Sequence, residues 1–239
     1  MKNIPVLITS VAQPNAPFVE LNDPAERINA TIKSLEQWAL ISPGQEIVIC
    51  DGSGYDFQGL INKTPLLKTL NLEVMHFIND IEMVKHRGKG YGEGEIIAYA
   101  LNHSEILKKC NTFSKCTAKY WVSNFQECAD SHQKNISIEK QYDSRYSFNY
   151  QACDTRFYVV EKDFYLKKLL NSHKNSNDFQ SYFLEHAFAK DIILSKVTGT
   201  EFKIKPLVYG ISGSTGQFTE SHPESIRKKM VRQFRRNFS

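Results

Sequence analysis

Apolar positions along the chain fall into short blocks whose spacing switches between every second residue and every third or fourth, and these switches mark the elements. Residues 4–10 (I-P-V-L-I-T-S) form a β-branched run ending in hydroxyls, the pattern of a strand buried in a parallel sheet. Asp23-Pro24-Ala25-Glu26 then supplies an N-cap, a proline at the first helical position and an acid three residues after the cap, so a helix starts there. Ile28, Ile32, Leu35 and Ala39 recur at helical spacing, Pro43-Gly44 makes a turn, and residues 46–50 read as a second strand. Strand, helix and strand in this order make a βαβ unit with a right-handed connection.

The alternation continues with a strand over 72–78, a helix over 92–107 and a fourth strand over 119–122. A polar stretch over 129–149 reads as a surface loop or irregular strands. A strand over 155–160, helices over 162–170 and 179–191, a strand over 202–208 and a basic helix opened by Pro223 complete the chain. Such an order predicts an α/β fold, with one domain over 1–222 and a terminal helix over 223–239.

Composition narrows the class. The 239 residues are 41% hydrophobic and 12% aromatic, enough for a sizeable core, which excludes a disordered chain. No apolar run reaches the roughly 18–20 residues of a spanning helix, and residues 1–14 lack a convincing secretory pattern. The five cysteines are odd in number and form no C-x-x-C pair, and no two histidines have ligand spacing, so reduced thiols and no zinc site are expected. Net charge is +4, yet Arg227, Lys228, Lys229, Arg232, Arg235 and Arg236 alone exceed it, leaving a near-neutral body with a basic tail.

Five groups of residues have candidate chemistry. Asp51-Gly52-Ser53-Gly54 follows the second strand, where open α/β sheets bind ligands, although D-G and S-G also mark plain turns. Residues 85–95 (K-H-R-G-K-G-Y-G-E-G-E) pack bases and glycines before a helix, a setting for an anion such as a diphosphate or simply a flexible capped loop. Lys115, in F-x-K-x-T-x-K-Y from Phe113, precedes the fourth strand as a possible ligand contact or as solvated charge. Asp178 and Glu185 fall two turns apart on one helix face, where a carboxylate could act as general base or merely cap and solvate. The loop at 209–216 (Y-G-I-S-G-S-T-G) offers hydroxyls and glycines to a phosphate or sugar, or makes a tight turn.

Taken in order, Asp51-Gly52-Ser53, Lys89-Gly90-Tyr91-Gly92-Glu93, the Phe113 to Tyr120 motif with Asn124, Asp154-Thr155-Arg156-Phe157 and the Gly210 to Gly216 loop resemble bacterial GT-A glycosyltransferases that build capsule and lipopolysaccharide glycans. The resemblance implies a Rossmann-like GT-A fold, a central mostly parallel sheet flanked by helices in a single domain. It implies a nucleotide-sugar donor near Thr9, Ser10, Asp51, Gly52 and Ser53, with Lys89, Tyr91, Gly92 and Glu93 at the ribose or diphosphate. Lys115, Asn124, Arg156, Ser212 and Ser214 are further donor contacts, and Asp178 and Glu185 supply the acceptor-side carboxylate. GT-A enzymes usually place an Asp-x-Asp metal site after the fourth strand; here that place reads Val122-Ser123-Asn124-Phe125-Gln126. Metal independence is therefore expected, without Mn or Mg, and the leaving group's charge falls to Lys89, Lys115 or Arg156.

The implied protein is cytoplasmic and takes a glycan or lipid-linked glycan as acceptor. Ile226, Met230 and Phe234, at i, i+4 and i+8 of the basic helix, suit peripheral contact with an anionic inner membrane, or equally a stripe docked on the body. A nucleotidyltransferase would need a glycine-rich loop after the first strand, where the chain reads Thr9-Ser10-Val11-Ala12-Gln13-Pro14. A non-catalytic nucleotide or nucleic-acid binder is the remaining alternative. The positive charge forms one terminal cluster rather than a stripe interleaved with aromatics, so nucleic acid is not expected.

Overall fold

The structure, a computed structural model, describes residues 2–144 and 147–238. Arg145 and Tyr146 of the polar stretch, and Ser239 of the tail, lie outside the described residues. The chain runs β1 (Val6–Ser10), α1 (Pro24–Ile41), β2 (Glu46–Asp51), α2 (Gln58–Lys63), β3 (Asn71–His76), α3 (Ile81–Arg87), α4 (Lys89–His103) and α5 (Glu105–Lys109). It continues through β4 (Thr112–Thr117), β5 (Tyr120–Val122), α6 (Phe125–Ser131), β6 (Ile136–Tyr142), β7 (Tyr150–Glu161) and α7 (Lys162–Phe164). Then come α8 (Leu184–Ser195), β8 (Val208–Ile211), β9 (Phe218–Glu220) and α9 (Ile226–Phe238).

Six strands form the central sheet in the order β3-β2-β1-β4-β7-β6. The first four are parallel, β7 runs antiparallel to β4, and β6 runs antiparallel to β7 and so along the first four. Every residue of β1 is buried because helices cover both faces: Val6 and Ile8 face a cluster with Trp38 and Phe125, and Leu7 faces one with Ile96, Ile97 and Phe188. Helix α1 starts as its sequence dictates, with Asp23 Oδ1 accepting the Glu26 N–H at 2.8 Å and Pro24 in the first turn. Trp38 of this helix is wholly buried and donates from Nε1 to the Tyr120 carbonyl at 3.2 Å, tying α1 to a second, three-stranded sheet β5-β8-β9.

Several expected elements fall elsewhere. The fourth strand of the main sheet is β4, seven residues before the expected one; residues 120–122 instead join the small sheet after a sharp turn in which Lys119 has φ +73°. Its polar residues hid β4: Ser114 and Lys115 are wholly buried within it. The helix expected over 92–107 divides where Ser104 caps α5 through its hydroxyl and the Leu107 N–H. The polar stretch from 129 contains the end of α6 and β6. Residues 179–191 do not form one helix, because Ser181 turns left-handed at φ +54° after a short 3-10 turn at Asp178–Gln180 and α8 begins only at Leu184. The expected strand over 202–208 is displaced to β8, which contains Gly210 and Ile211.

Candidate active site

A cavity of about 250 Å³ opens at the carboxyl ends of β1, β2 and β4, the edge where an open α/β sheet leaves a crevice. Its floor is a buried polar knot. Thr9 of β1 and Thr117 of β4 are register partners, and both hydroxyls donate to Glu93 Oε1 at 3.0 Å. Lys115 lies beneath, ion-paired with the same carboxylate and donating to Thr117 Oγ1 and the Thr155 carbonyl at 2.7 Å each. A lysine inside a sheet persists only when so paired. Lys115 is thus a strut under Glu93 rather than a cation offered to a ligand or solvent.

Asp51 is also a strut. It is fully buried and accepts from the backbone N–H groups of Ala12 (2.9 Å), Ser53 (2.8 Å) and Tyr55 (3.2 Å) and from the Ser53 hydroxyl (2.6 Å). Those donors use its lone pairs to lock the loop after β1 against the end of β2. Ser53 is engaged with Asp51 and with the Gln13 N–H, and Ser10 is buried at the end of β1. Of the residues expected here at the nucleotide, Thr9 and Gly52 reach the cavity wall.

The glycines of residues 88–94 do not form a loose loop; from Lys89 they are inside α4, and each one admits a neighbour. A Cβ would stand 2.2 Å from Asp178 at Gly88, 2.9 Å from Leu184 at Gly90, 2.7 Å from Asn79 at Gly92 and 2.2 Å from His173 at Gly94. Gly88, Gly90 and Gly94 thereby leave one bare flank against which the segment carrying His173 and Asp178 and the start of α8 pack, while Gly92 opens the other side of α4 to Asn79. Lys89, Gly90, Gly92 and Glu93 line the cavity, whereas the Tyr91 ring turns to His173, edge to face at 5.2 Å. Asn79 shares the wall between Gly52 and Gly92; its Oδ1 is buried without a hydrogen-bond partner, an acceptor available to a ligand donor.

Asp178 and Glu185 reach this cavity from different elements, the 3-10 turn and the first turn of α8. They do not share a helix face. Asp178 Oδ2 accepts the Lys89 N–H at 3.0 Å, while its buried Oδ1 has no partner. Glu185 Oε1 accepts from the Thr155 hydroxyl at 2.9 Å. Burial holds both carboxyls above the ordinary carboxylate range.

The cavity also gathers cations. Lys89 Nζ donates to the Ser214 hydroxyl, bringing the glycine-rich loop with Ser212 over the opening. Arg156 is clamped by Asp154, whose hydrogen bonds raise its pKa, and lies over the Tyr120 ring at 5.7 Å. Two further cations, Arg27 and Lys119, had no expected role. Arg27 projects from α1, donating to the Val11 and Leu21 carbonyls at 2.7 Å each. Lys119 is 4% exposed, and burial, with Arg27 nearby, pushes its ammonium down to about 7. The sequence signal for Arg27 was a charge on the buried side of an amphipathic helix, and for Lys119 a lysine directly before a strand. Asn124 belongs elsewhere: it donates to the Lys205 carbonyl at 3.0 Å and accepts the Leu207 N–H at 2.8 Å, clamping a loop outside the cavity.

The sheet order, the crevice at its carboxyl edge and the helices on both faces define the GT-A class of α/β fold. No protein-family model and no curated protein sequence matches the chain. Among solved structures it is similar in fold to the mannosyltransferase Ktr4p from S. cerevisiae, at 11% identity and a TM-score of 0.50, over 98% of this chain and 81% of that one. The same protein in complex with GDP gives 12% identity and 0.48 over 99% and 82%. The inositol-1-phosphate CTP transferase from T. maritima gives 13% and 0.46 over 98% and 97%.

Proposed function

We propose that this protein is a glycosyltransferase that moves a sugar from a nucleotide-sugar donor to a surface-glycan acceptor of the capsule or lipopolysaccharide kind. The observation that carries the reading is the content of one cavity: cations, of which Lys89, Arg27 and Lys119 have no acidic ion-pair partner among the described residues while Arg156 is paired with Asp154, and two carboxyls with raised pKa at the ligand edge of a GT-A sheet. Cations suit a departing diphosphate, whose growing charge they stabilise without moving. A carboxylate with a raised pKa suits the acceptor, whose hydroxyl proton it accepts as the new glycosidic bond forms.

Glu185 is the better placed base, since Thr155 fixes its orientation through Oε1, while Asp178 also holds the start of α4. Lys89, Arg156, Ser212 and Ser214 bind the donor around Glu93, which keeps the floor rigid through Thr9 and Thr117. Among the described residues no helix is long and apolar enough to cross a membrane. A lipid-linked acceptor would be met through α9, whose apolar stripe faces outward among bases.

A thermal-shift panel of UDP, GDP, CMP, ADP and dTDP tests the reading. The cognate nucleotide at about 100 times its Kd adds about 2.7 kcal/mol to apparent stability, and the matching nucleotide-sugar is slowly hydrolysed. If no nucleotide stabilises the protein at millimolar concentration, the reading fails. Cytidylyl transfer from CTP with release of pyrophosphate would replace it by a nucleotidyltransferase.

A further inference from the structure

A metal-dependent GT-A site places its acidic pair directly after the fourth strand. In this chain the fourth strand is β4, and Ala118-Lys119 occupies the position directly after it. The residues present do not fit a divalent cation. Such an ion needs several free carboxylate oxygens converging on one point, but Asp51 is spent on Ala12, Ser53 and Tyr55, and Glu93 on Thr9, Thr117 and Lys115. Asp178 and Glu185 remain on the cavity wall, yet among the described residues no three acidic, histidine or cysteine side chains come together as a metal would need. An ammonium and a guanidinium stand in the same place and would repel it.

Lys119 is held there firmly. Its φ of +73° is a conformation that side chains other than glycine rarely adopt. The turn is fixed because the Lys119 carbonyl accepts the Ile211 N–H at 3.1 Å and lies 2.0 Å from where a Cβ on Gly210 would be. The side chain points into the cavity toward the glycine-rich loop: a Cβ on Gly213 would stand 3.2 Å from Arg27 Nη1 and 3.7 Å from Lys119 Nζ. Among the described residues Nζ has neither a hydrogen-bond acceptor nor an ion-pair partner. Two buried cations side by side, with the nearby carboxylates already occupied, form a receptor for an anion.

We propose that Lys119, with Arg27 beside it, stands in for the divalent cation and holds the donor diphosphate directly, so that this chain binds a nucleotide-sugar without metal. The proposal rests on the glycosyltransferase reading above. Burial and then Arg27 from α1 and Lys115 from β4 disfavour the Lys119 charge, whereas Glu93 from α4 and Asp51 from β2 favour it, and its ammonium titrates at about 7. An arriving diphosphate favours the charged form, so binding takes up a proton near neutrality and weakens as pH rises.

The test is calorimetric titration of the whole protein with UDP-glucose, GDP-mannose and dTDP-glucose, whose diphosphate diesters do not titrate near neutrality. Each is measured in EDTA and in manganese, between about pH 6 and pH 9. One of them should bind in EDTA, with affinity falling by up to about tenfold per pH unit above about 7. Lys119→Met should weaken it about 10- to 100-fold and flatten the pH dependence. Its unfolding temperature should not drop, because the change removes an unpartnered buried charge. Should the variant fail to fold, the EDTA and pH series on the native chain decide alone. Binding that requires manganese, or a folded Lys119→Met that binds like the parent in EDTA, overturns the proposal and leaves the glycosyltransferase reading standing. If none of these nucleotide-sugars binds in either buffer, the proposal falls, and the nucleotide panel above decides the glycosyltransferase reading by itself.

Discussion

The carboxylate of Asp178 accepts the Lys89 backbone N–H at 3.0 Å and occupies the space where a side chain on Gly88 would be, 2.2 Å from its Cγ. One interaction thus fixes both the first turn of α4 and a carboxyl on the cavity wall. Gly88 has φ +98°, so a substitution is strained by backbone as well as by contact. Gly88→Ala should cost about 1–3 kcal/mol in urea unfolding and abolish the stabilisation by nucleotide. Gly59→Ala is the matched control, since nothing lies within 4 Å of its Cβ in α2; it should be neutral or stabilise by about 0.5–1 kcal/mol. Equal effects of the two would contradict the packing role.

Glu185 separates activity from stability. Burial raises its pKa, so the folded state holds the proton more tightly than the unfolded chain. The stability it contributes is complete below the unfolded pKa and is lost as pH rises through the folded one. Glu185→Gln should therefore unfold no more easily than the parent at about pH 8, while sugar transfer falls by about 10²–10⁴-fold. In the parent, transfer should rise with pH through a value above the ordinary carboxylate range, as the base ionises. A variant that retains more than a tenth of the parental rate, or an acid limb at an ordinary carboxylate pKa, would remove Glu185 from the chemistry.

Legibility in the sequence followed the range of the determining interactions. β1, α1 and β2 were readable because Asp23, Pro24 and the apolar spacing act within a few residues. β4 lies seven residues before the strand the pattern predicts because Lys115 and Ser114 are polar, and their burial depends on partners far away in sequence, Glu93 and Thr155 for Lys115 and the Pro5 carbonyl for Ser114. Asp178 and Glu185 were singled out on a helical spacing that Ser181 breaks, yet they meet at the cavity because the glycines of α4 admit their segment. Those glycines suggested a phosphate loop, and local composition does not distinguish that from a bare helix flank. Lys119 is legible only as a lysine at the edge of a strand, since its isolation from acceptors is a three-dimensional fact.

Arg232 pins α9 to the body. It is buried among Glu139 (2.9 Å), Glu224 (2.8 Å) and Glu201 (3.3 Å), each from a different part of the chain. Burial pushes Glu139 up to about 7 and raises Glu201; Glu224 is also raised by burial, but Arg232 outweighs this and leaves it lowered. Arg232→Met strands these carboxylates and should cost about 3–5 kcal/mol at about pH 8. Protonation relieves the penalty, so the loss should shrink as pH falls through about 7 toward the ordinary carboxylate range. Guanidinium unfolding of parent and variant at both ends of that window measures it, and a pH-independent difference would mean that the cluster does not set the stability of docking.

With Arg232 on the body side, α9 turns the opposite stripe outward: Ile226, Met230 and Phe234 are 80%, 68% and 57% exposed, and Phe234 also meets Phe148 at 5.9 Å. Arg227 and Lys229 flank the stripe, and the helix has no acid. An apolar ridge between bases matches the boundary between anionic headgroups and acyl chains, with about 1 kcal/mol per basic residue near the surface. The protein should therefore sediment with phosphatidylglycerol vesicles and not with phosphatidylcholine ones, and salt should release it as screening shortens to a few ångströms. The double substitution Ile226→Glu, Met230→Glu should abolish sedimentation yet leave the nucleotide-induced thermal shift unchanged, because neither residue lines the cavity. Binding to both lipids alike, or to neither, would show that this face does not meet an anionic membrane; salt-sensitive binding to an oligonucleotide instead would reassign the bases to nucleic acid.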